Sequence, residues 1–141
     1  MFLGEYIYKI DEKGRLPIPP RFRKDLKEGL VAAAGVEPCI TIYTASEWVK
    51  VAESLTSGAL APSKMRRLNR ALFANAFSLN IDGQGRIALP VTLRQHARIE
   101  DEAVVVGANT TLEVWNKELW AEEKALARQQ AWQTIEGLER R

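Results

Sequence analysis

Two carboxylate–guanidinium pairs carry the chemistry open to this chain: Asp11 with Arg15, and Asp82 with Arg86. Each pair brackets a short segment of the form Asp-x-x-Gly-Arg, read as Asp11-Glu12-Lys13-Gly14-Arg15 and Asp82-Gly83-Gln84-Gly85-Arg86. If the two segments converge, the carboxylates could act as bases while arginine stabilises an anion, a hydrolytic arrangement. The guanidinium forks could instead be aimed at phosphate or guanine, an anion-reading surface. A third role is structural: each Asp accepts hydrogen bonds from turn N–H groups and pins its own Arg. For the Asp residues the structural role is favoured. For Arg15 contact with an anion is favoured, because six further basic residues surround it in sequence; Arg86 has few such neighbours and is evenly balanced.

Other chemistry is sparse. His96 is the only histidine and stands on an expected short helix between Gln95 and Ala97, as a surface or packing residue. The single Cys39 lies in an apolar, strand-like stretch and reads as a buried, inert thiol. No Cys/His cluster has metal-ligand spacing, no Ser-His-Asp set or glycine-rich phosphate loop is present, and Gly83-Gln84-Gly85 is too short for a nucleotide fingerprint. Neither a metal, a cofactor nor an enzymatic activity is expected.

The two pairs belong to a longer repeat. At an offset of 71, residues 8–23 and 79–94 share the Ile-Asp-x-x-Gly-Arg core, a following proline (Pro19, Pro90) and an arginine beyond it (Arg23, Arg94). At an offset of 72, Ile40–Tyr43 matches Leu112–Trp115, Gly35 matches Gly107 and Trp48 matches Trp120, so one residue is inserted in the second copy. Two copies are too few for a solenoid. The 141 residues are expected to form a single pseudo-symmetric domain, with repeats at 5–55 and 76–125, a basic helical linker at 56–75 and a helical extension at 126–141.

Period-two alternation predicts that each repeat opens with a strand, at Tyr6/Tyr8/Ile10 and Phe77/Leu79/Ile81. Alternation resumes at Leu16/Ile18 and Ile87/Leu89, which predicts a hairpin over each turn. Gly14 and Gly85 supply the positive φ it requires. Pro19-Pro20 and Pro90 suit the first turn of a short helix, with Phe22/Leu26 and Leu93/Ala97 on its buried side. A strand pair follows in each copy, Leu30–Ala34 with Cys39–Tyr43 and Ala103–Val106 with Thr111–Trp115. Thr44 to Glu47 reads as a capping box, Asn116 as the cap of a long last helix, and Ser63 as the cap of the linker helix. Met65, Leu68, Leu72 and Phe73 are expected on the inner side of that linker helix, and Trp120, Ala127, Ala131, Ile135 and Leu138 predict that the tail packs on something. The class is α+β, and because a lone hairpin is marginal in water the copies must interlock around one core.

Composition admits such a core, since 46% of residues are apolar. Net charge is only +2, but its distribution is uneven. Seven basic residues stand against three acidic ones between Lys9 and Lys27, and the linker adds Lys64, Arg66, Arg67 and Arg70, while acids gather between Glu100 and Glu123. One basic face suits an anionic partner; for the linker, simple solvation is an equal reading. No apolar run reaches the length of a membrane span, and Met1–Glu5 lacks the pattern of a signal peptide, which points to the cytoplasm.

Taken in order, Met1-Phe2-Leu3-Gly4, Asp11 to Leu16, Arg66-Arg67-Leu68-Asn69-Arg70, Phe73-Ala74-Asn75-Ala76, Asp82 to Ile87, Pro90 to Arg94 and Val106-Gly107 before Leu112–Trp115 closely resemble the MraZ family of bacterial transcriptional regulators. The resemblance covers the chain to about residue 125. It implies a double swapped-hairpin β-barrel of the SpoVT-AbrB type with flanking helices, assembled as a closed homo-oligomeric ring, octameric or dodecameric. It also implies binding of double-stranded DNA at short direct repeats upstream of the division and cell-wall gene cluster, repression that includes the regulator's own gene, and a cytoplasmic, nucleoid-associated location without a membrane partner. Asp11, Arg15, Asp82 and Arg86 are the motif residues carried over by position. Lys9, Lys13, Arg21 and Arg23 are added as phosphate contacts from charge alone. Two departures stand out: Pro17 confines its strand to a sheet edge or end, and the tail with Trp132 is not covered by the motifs. Two other classes stay open, an enzyme built on the Asp/Arg pairs and an antitoxin-like interaction module that docks a partner on the last helix.

Overall fold

The alternating stretches before each turn form strands β1 (Glu5–Lys9) and, later, β5 (Ala76–Leu79) in the computed structural model, which describes residues 1–139. After the first turn come β2 (Arg15–Pro17), the short helix α1 (Pro20–Arg23), the strand pair β3 (Leu30–Ala34) and β4 (Cys39–Thr44), and helix α2 (Ala45–Thr56). Helix α3 (Pro62–Phe73) leads into β5, and the second repeat follows as β6 (Arg86–Ala88), α4 (Val91–His96), β7 (Glu102–Ala108), β8 (Thr111–Trp115) and α5 (Lys117–Glu139).

The repeats interlock. One antiparallel sheet runs β1-β7-β8-β4-β3-β5, so each repeat's first strand pairs with the third strand of the other. The remaining strands, β2 and β6, pair with each other as a separate two-stranded ribbon. The strand order reads the same from either edge once the repeats are exchanged, which is the pseudo-twofold. Neither β1–β2 nor β5–β6 is therefore the local hairpin expected from sequence. The tight turns from Asp11 to Gly14 and from Asp82 to Gly85 swing the chain out of the sheet, so β2 and β6 serve only the ribbon, where Pro17 sits at the end of its strand. Hydrogen bonding also leaves the expected barrel open among the described residues: β1 and β5 are free edges and the ribbon stands apart.

Ribbon and sheet nevertheless close on one core. Leu16, Ile18, Ile87 and Leu89 from the ribbon segments join Ala32, Ile40, Ile42, Val105, Leu112 and Val114 from the sheet, all essentially buried. Phe22, Leu26, Leu93 and Ala97 of the two short helix segments face the same cluster, as their spacing predicts. Burial of each large side chain is worth roughly 1.5–3 kcal/mol. Much of that burial involves both repeats at once, so the halves stabilise one another. On the sheet's other face Cys39, Val104, Val106 and Trp115 are covered by Leu119 and Trp120 at the start of α5.

Strand register corrects the sequence alignment of the repeats. Ala34 pairs with Ile40, and Gly107 pairs with Leu112, so the counterpart of Gly107 is Ala34 rather than Gly35. Caps follow the sequence at two of three places. Thr44 accepts from the amide of Glu47 at 3.1 Å, and Asn116 accepts from the amides of Glu118 and Leu119. Helix α3 instead starts from Ala61 with Pro62 in its first turn, and Ser63 caps nothing, because proline already suits that position. The inner side of α3 is only half covered: Met65, Leu68 and Leu72 are partly exposed, and Phe73 packs edge-on against Trp48 at 5.8 Å. The tail stays helical to Glu139, but from Ala125 onward its residues are exposed, so the described part of the chain gives it nothing to pack on.

Candidate nucleic-acid interface

Each turn is built by its own aspartate. Asp11 Oδ1 accepts the amides of Lys13 at 3.0 Å and Arg15 at 2.9 Å, and its Oδ2 accepts Arg15 Nε at 2.6 Å. Asp82 repeats the pattern with the amides of Gln84 at 2.8 Å and Arg86 at 3.0 Å, and with Arg86 Nε at 3.2 Å. The Arg15 amide is the main reason that the Asp11 carboxyl is held below its ordinary range, aided by the Arg15 guanidinium and the Lys13 amide. The Arg86 amide does the same for Asp82, aided by Gln84 and the Arg86 charge. Gly14 and Gly85 complete the turns at φ of +75° and +77°.

The ribbon sets the turns side by side. Leu16 stands opposite Ile87, and the backbone continues the match, with Ile18 donating to the Gly85 carbonyl and Leu89 to that of Gly14, both at 2.9 Å. Arg86 Nη1 thereby comes within 3.7 Å of Asp11 Oδ2. The four charges form a chain, Arg15–Asp11–Arg86–Asp82, in which Arg86 touches two carboxylates and Arg15 one. The Arg15 side chain is also the more exposed, 35% against 24%. Its two terminal nitrogens have no partner among the described residues, so a guanidinium fixed at Nε keeps both free to donate. Such a group can bind phosphate or guanine. The carboxylates suit base catalysis poorly: their protons leave well below neutral pH, and a general base works best near it.

The basic residues expected around Arg15 separate. Lys13 is exposed at the turn's tip, and Arg21 on α1 lies over the Tyr6 ring at 5.7 Å. Lys9 stands opposite Glu102 in the sheet and shares a basin with Arg98 and Lys117 and with the carboxylates of Glu100, Asp101 and Glu118, which offset its charge. Arg23 is half-buried. Its Nε donates to the Ile18 carbonyl at 2.9 Å, and its guanidinium lies across Gly85 of the other repeat. Arg94 mirrors it, donating to the Leu89 carbonyl at 3.0 Å and lying across Gly14. Sequence reading missed this exchange of clamps, although the coincidence of Arg23 and Arg94 in the repeat was its signal. Lys24 and Lys27, counted in sequence with the basic run around Arg15, line a groove with Ile81 and Asp82 beside the second turn, a placement no local pattern marks.

His96 Nε2 lies 3.1 Å from the carbonyls of both Gly35 and Glu37 and secures the loop after β3. Cys39 is fully buried, and burial is the main reason its thiol is pushed up to about 12.

Comparison with known proteins agrees with this two-repeat architecture. The family model described as "MraZ protein, putative antitoxin-like" matches residues 1–71 and again 72–140. The chain belongs to the MraZ family. Among its relatives, the transcriptional regulator MraZ of Dehalococcoides mccartyi strain BAV1 is 56% identical over 140 residues, 99% of each chain. That of Herpetosiphon aurantiacus is 43% identical over 120 residues, 85% of this chain and 84% of the relative. That of Caldanaerobacter subterraneus subsp. tengcongensis is 38% identical over 122 residues, 86% and 85%. The two MraZ matches meet between Ala71 and Leu72, inside α3, so this helix joins the two repeats. No described helix is long and apolar enough to cross a membrane.

Proposed function

We propose that this chain is a sequence-specific DNA-binding transcriptional regulator that represses genes, its own among them, from short direct repeats upstream of the division and cell-wall cluster. The observation that carries the reading is the pairing of β2 with β6, which sets two arginine-bearing turns on one edge, each arginine buttressed by its own aspartate. A guanidinium already fixed at Nε loses little freedom on binding, which favours recognition over loose charge attraction. Arg15, with one carboxylate and two free nitrogens, reads a base edge; Arg86, held by two carboxylates, supports the neighbouring turn. Lys13 and Arg21 are the exposed cations placed to hold phosphates on either side.

In this reading the sheet and ribbon together are the swapped-hairpin barrel, and the subunits form a ring of eight or twelve copies at the nucleoid. Identical subunits then meet successive direct repeats, and linked weak contacts multiply through effective concentration. Fluorescence anisotropy with the duplex upstream of the chain's own gene, against a scrambled duplex and across a salt series, tests it. Preference for the native duplex with a steep negative salt slope is expected. Equal, weak and salt-insensitive binding to both would overturn it.

The exposed tail of α5, with Trp132, Ile135 and Leu138 open to solvent, favours one second reading, a partner-docking module like an antitoxin. Removing residues 126–141 discriminates: a regulator acting only on DNA keeps its preference for the native duplex and loses only assembly strength.

A further inference from the structure

Exchange of the repeats moves the basic run. Arg23, Lys24 and Lys27 follow the first turn in sequence, yet they line one open groove of about 540 Å³ with Ile81 and Asp82 of the second. Arg23 reaches there because it lies across Gly85. Lys24 and Lys27 follow α1 in a succession of tight turns, where Leu26 donates to the Arg23 carbonyl and Lys27 to that of Lys24. Both lysines are exposed. The groove's one carboxylate, Asp82, is already bonded at both oxygens by the Arg86 side chain and turn amides. Asp25 and Glu28 line a different groove with Lys24 and Lys27, on the side of Thr44 and Ser46.

The pseudo-equivalent place beside the first turn has the opposite sign. Positions 71 residues on from Lys24 and Lys27 are Gln95 and Arg98. There the basin beside Ile10 sets the carboxylates of Glu100, Asp101, Glu102 and Glu118 against the cations Lys9, Arg98 and Lys117, a small acidic excess. A polyanion approaching the edge where the turns meet therefore finds a clear excess of cations beside the second turn and a slight excess of acids in the basin beside Ile10.

We propose that Lys24 and Lys27 of the first repeat hold a phosphodiester of duplex DNA beside the second repeat's turn, so that the DNA-binding surface is composite: the first turn reads bases while these lysines, set beside the second turn, grip the backbone. This rests on the DNA-binding reading above. Neutralising two phosphate contacts lowers affinity for any sequence and flattens the salt slope, while base preference stays with Arg15.

The test compares the full chain with Lys24→Gln/Lys27→Gln on native and scrambled duplexes across a salt series. A control, Lys64→Gln/Arg66→Gln on α3, removes the same charge elsewhere. The expected result is about tenfold weaker binding of both duplexes, an unchanged ratio between them and a log–log salt slope smaller by roughly one to two. Unchanged binding, an equal loss in the control, or a loss confined to the native duplex would overturn the composite surface. If the unsubstituted chain itself shows no preference and no salt slope, the DNA-binding reading fails first, and the composite surface falls with it. Superimposed thermal melts establish that the substituted chains are folded.

Discussion

Arg94 of the second repeat lies across Gly14 of the first: a Cβ added to Gly14 would stand 2.6 Å from Arg94 Nε. Arg23 meets Gly85 in the same way from the other repeat. Each turn is thus shaped by its own aspartate and clamped by an arginine from the opposite half. Two separate demands fall on each glycine, a positive φ and room for a guanidinium.

Gly14→Ala and Gly85→Ala should each cost roughly 1–3 kcal/mol, since alanine is strained at positive φ and must also displace the clamp. Gly83→Ala, with open space around it and an ordinary φ, should cost less than about 0.5 kcal/mol. Urea denaturation measures all three, and equal losses across the set would contradict the clamp.

Arg94→Ala should speed amide exchange at Gly14 and Arg15, in the repeat to which Arg94 does not belong. Arg23→Ala should do the same at Gly85 and Arg86. Loss of the bond to the Leu89 or Ile18 carbonyl is worth about 1 kcal/mol. Faster exchange confined to the substituted repeat would show that the exchanged clamp does not hold the turns.

Acid should weaken the fold through Asp11 and Asp82. Their folded pKa values lie below the ordinary carboxylate values, so their contribution is complete above the unfolded pKa and fades as pH falls through the lowered folded values. Stability is expected to hold down to about pH 5 and decline below about pH 4. Asp82→Asn should decline less steeply than the unsubstituted chain; a curve of unchanged slope in denaturant titrations would exclude Asp82 as a source.

For DNA, Arg15→Ala should cost about 1–3 kcal/mol and lower the preference for the native duplex, because a fork with two free donors is lost. Arg86→Ala should cost less in preference, since that group is held by two carboxylates. Anisotropy on both duplexes separates the two, and matching losses would remove the asymmetry.

Cys39, neutral and buried at ordinary pH, should react with a thiol reagent only as fast as the chain opens. Labelling that outpaces global unfolding would mean that α5 lifts from the sheet on its own.

Local structure was legible wherever one residue type meets one local demand. Asp11, Gly14 and Pro19 announce a turn and a helix start, and Thr44 and Asn116 announce caps, because each acts on backbone groups within a few residues. Ser63 misled for the same reason: Pro62 beside it satisfied the helix start first. Gly107 misled because glycine identity suggested an alignment that strand register does not keep. The tail's apolar spacing was real, but spacing names a face and not what covers it.

By itself the sequence determined that there are two repeats, that each holds a turn built on Asp and Gly, and that each turn ends in an arginine, since all of this rests on contacts between near neighbours. Only the tertiary structure decided that the first strands pair across repeats, that Arg23 and Arg94 exchange turns, and that Lys24 and Lys27 stand beside Asp82 rather than near Arg15. Pairing partners are chosen by burial of a shared core, in which Leu16, Ile87, Val105 and Ile42 must all leave water together. That choice depends on residues far apart in the chain, and no local pattern records it.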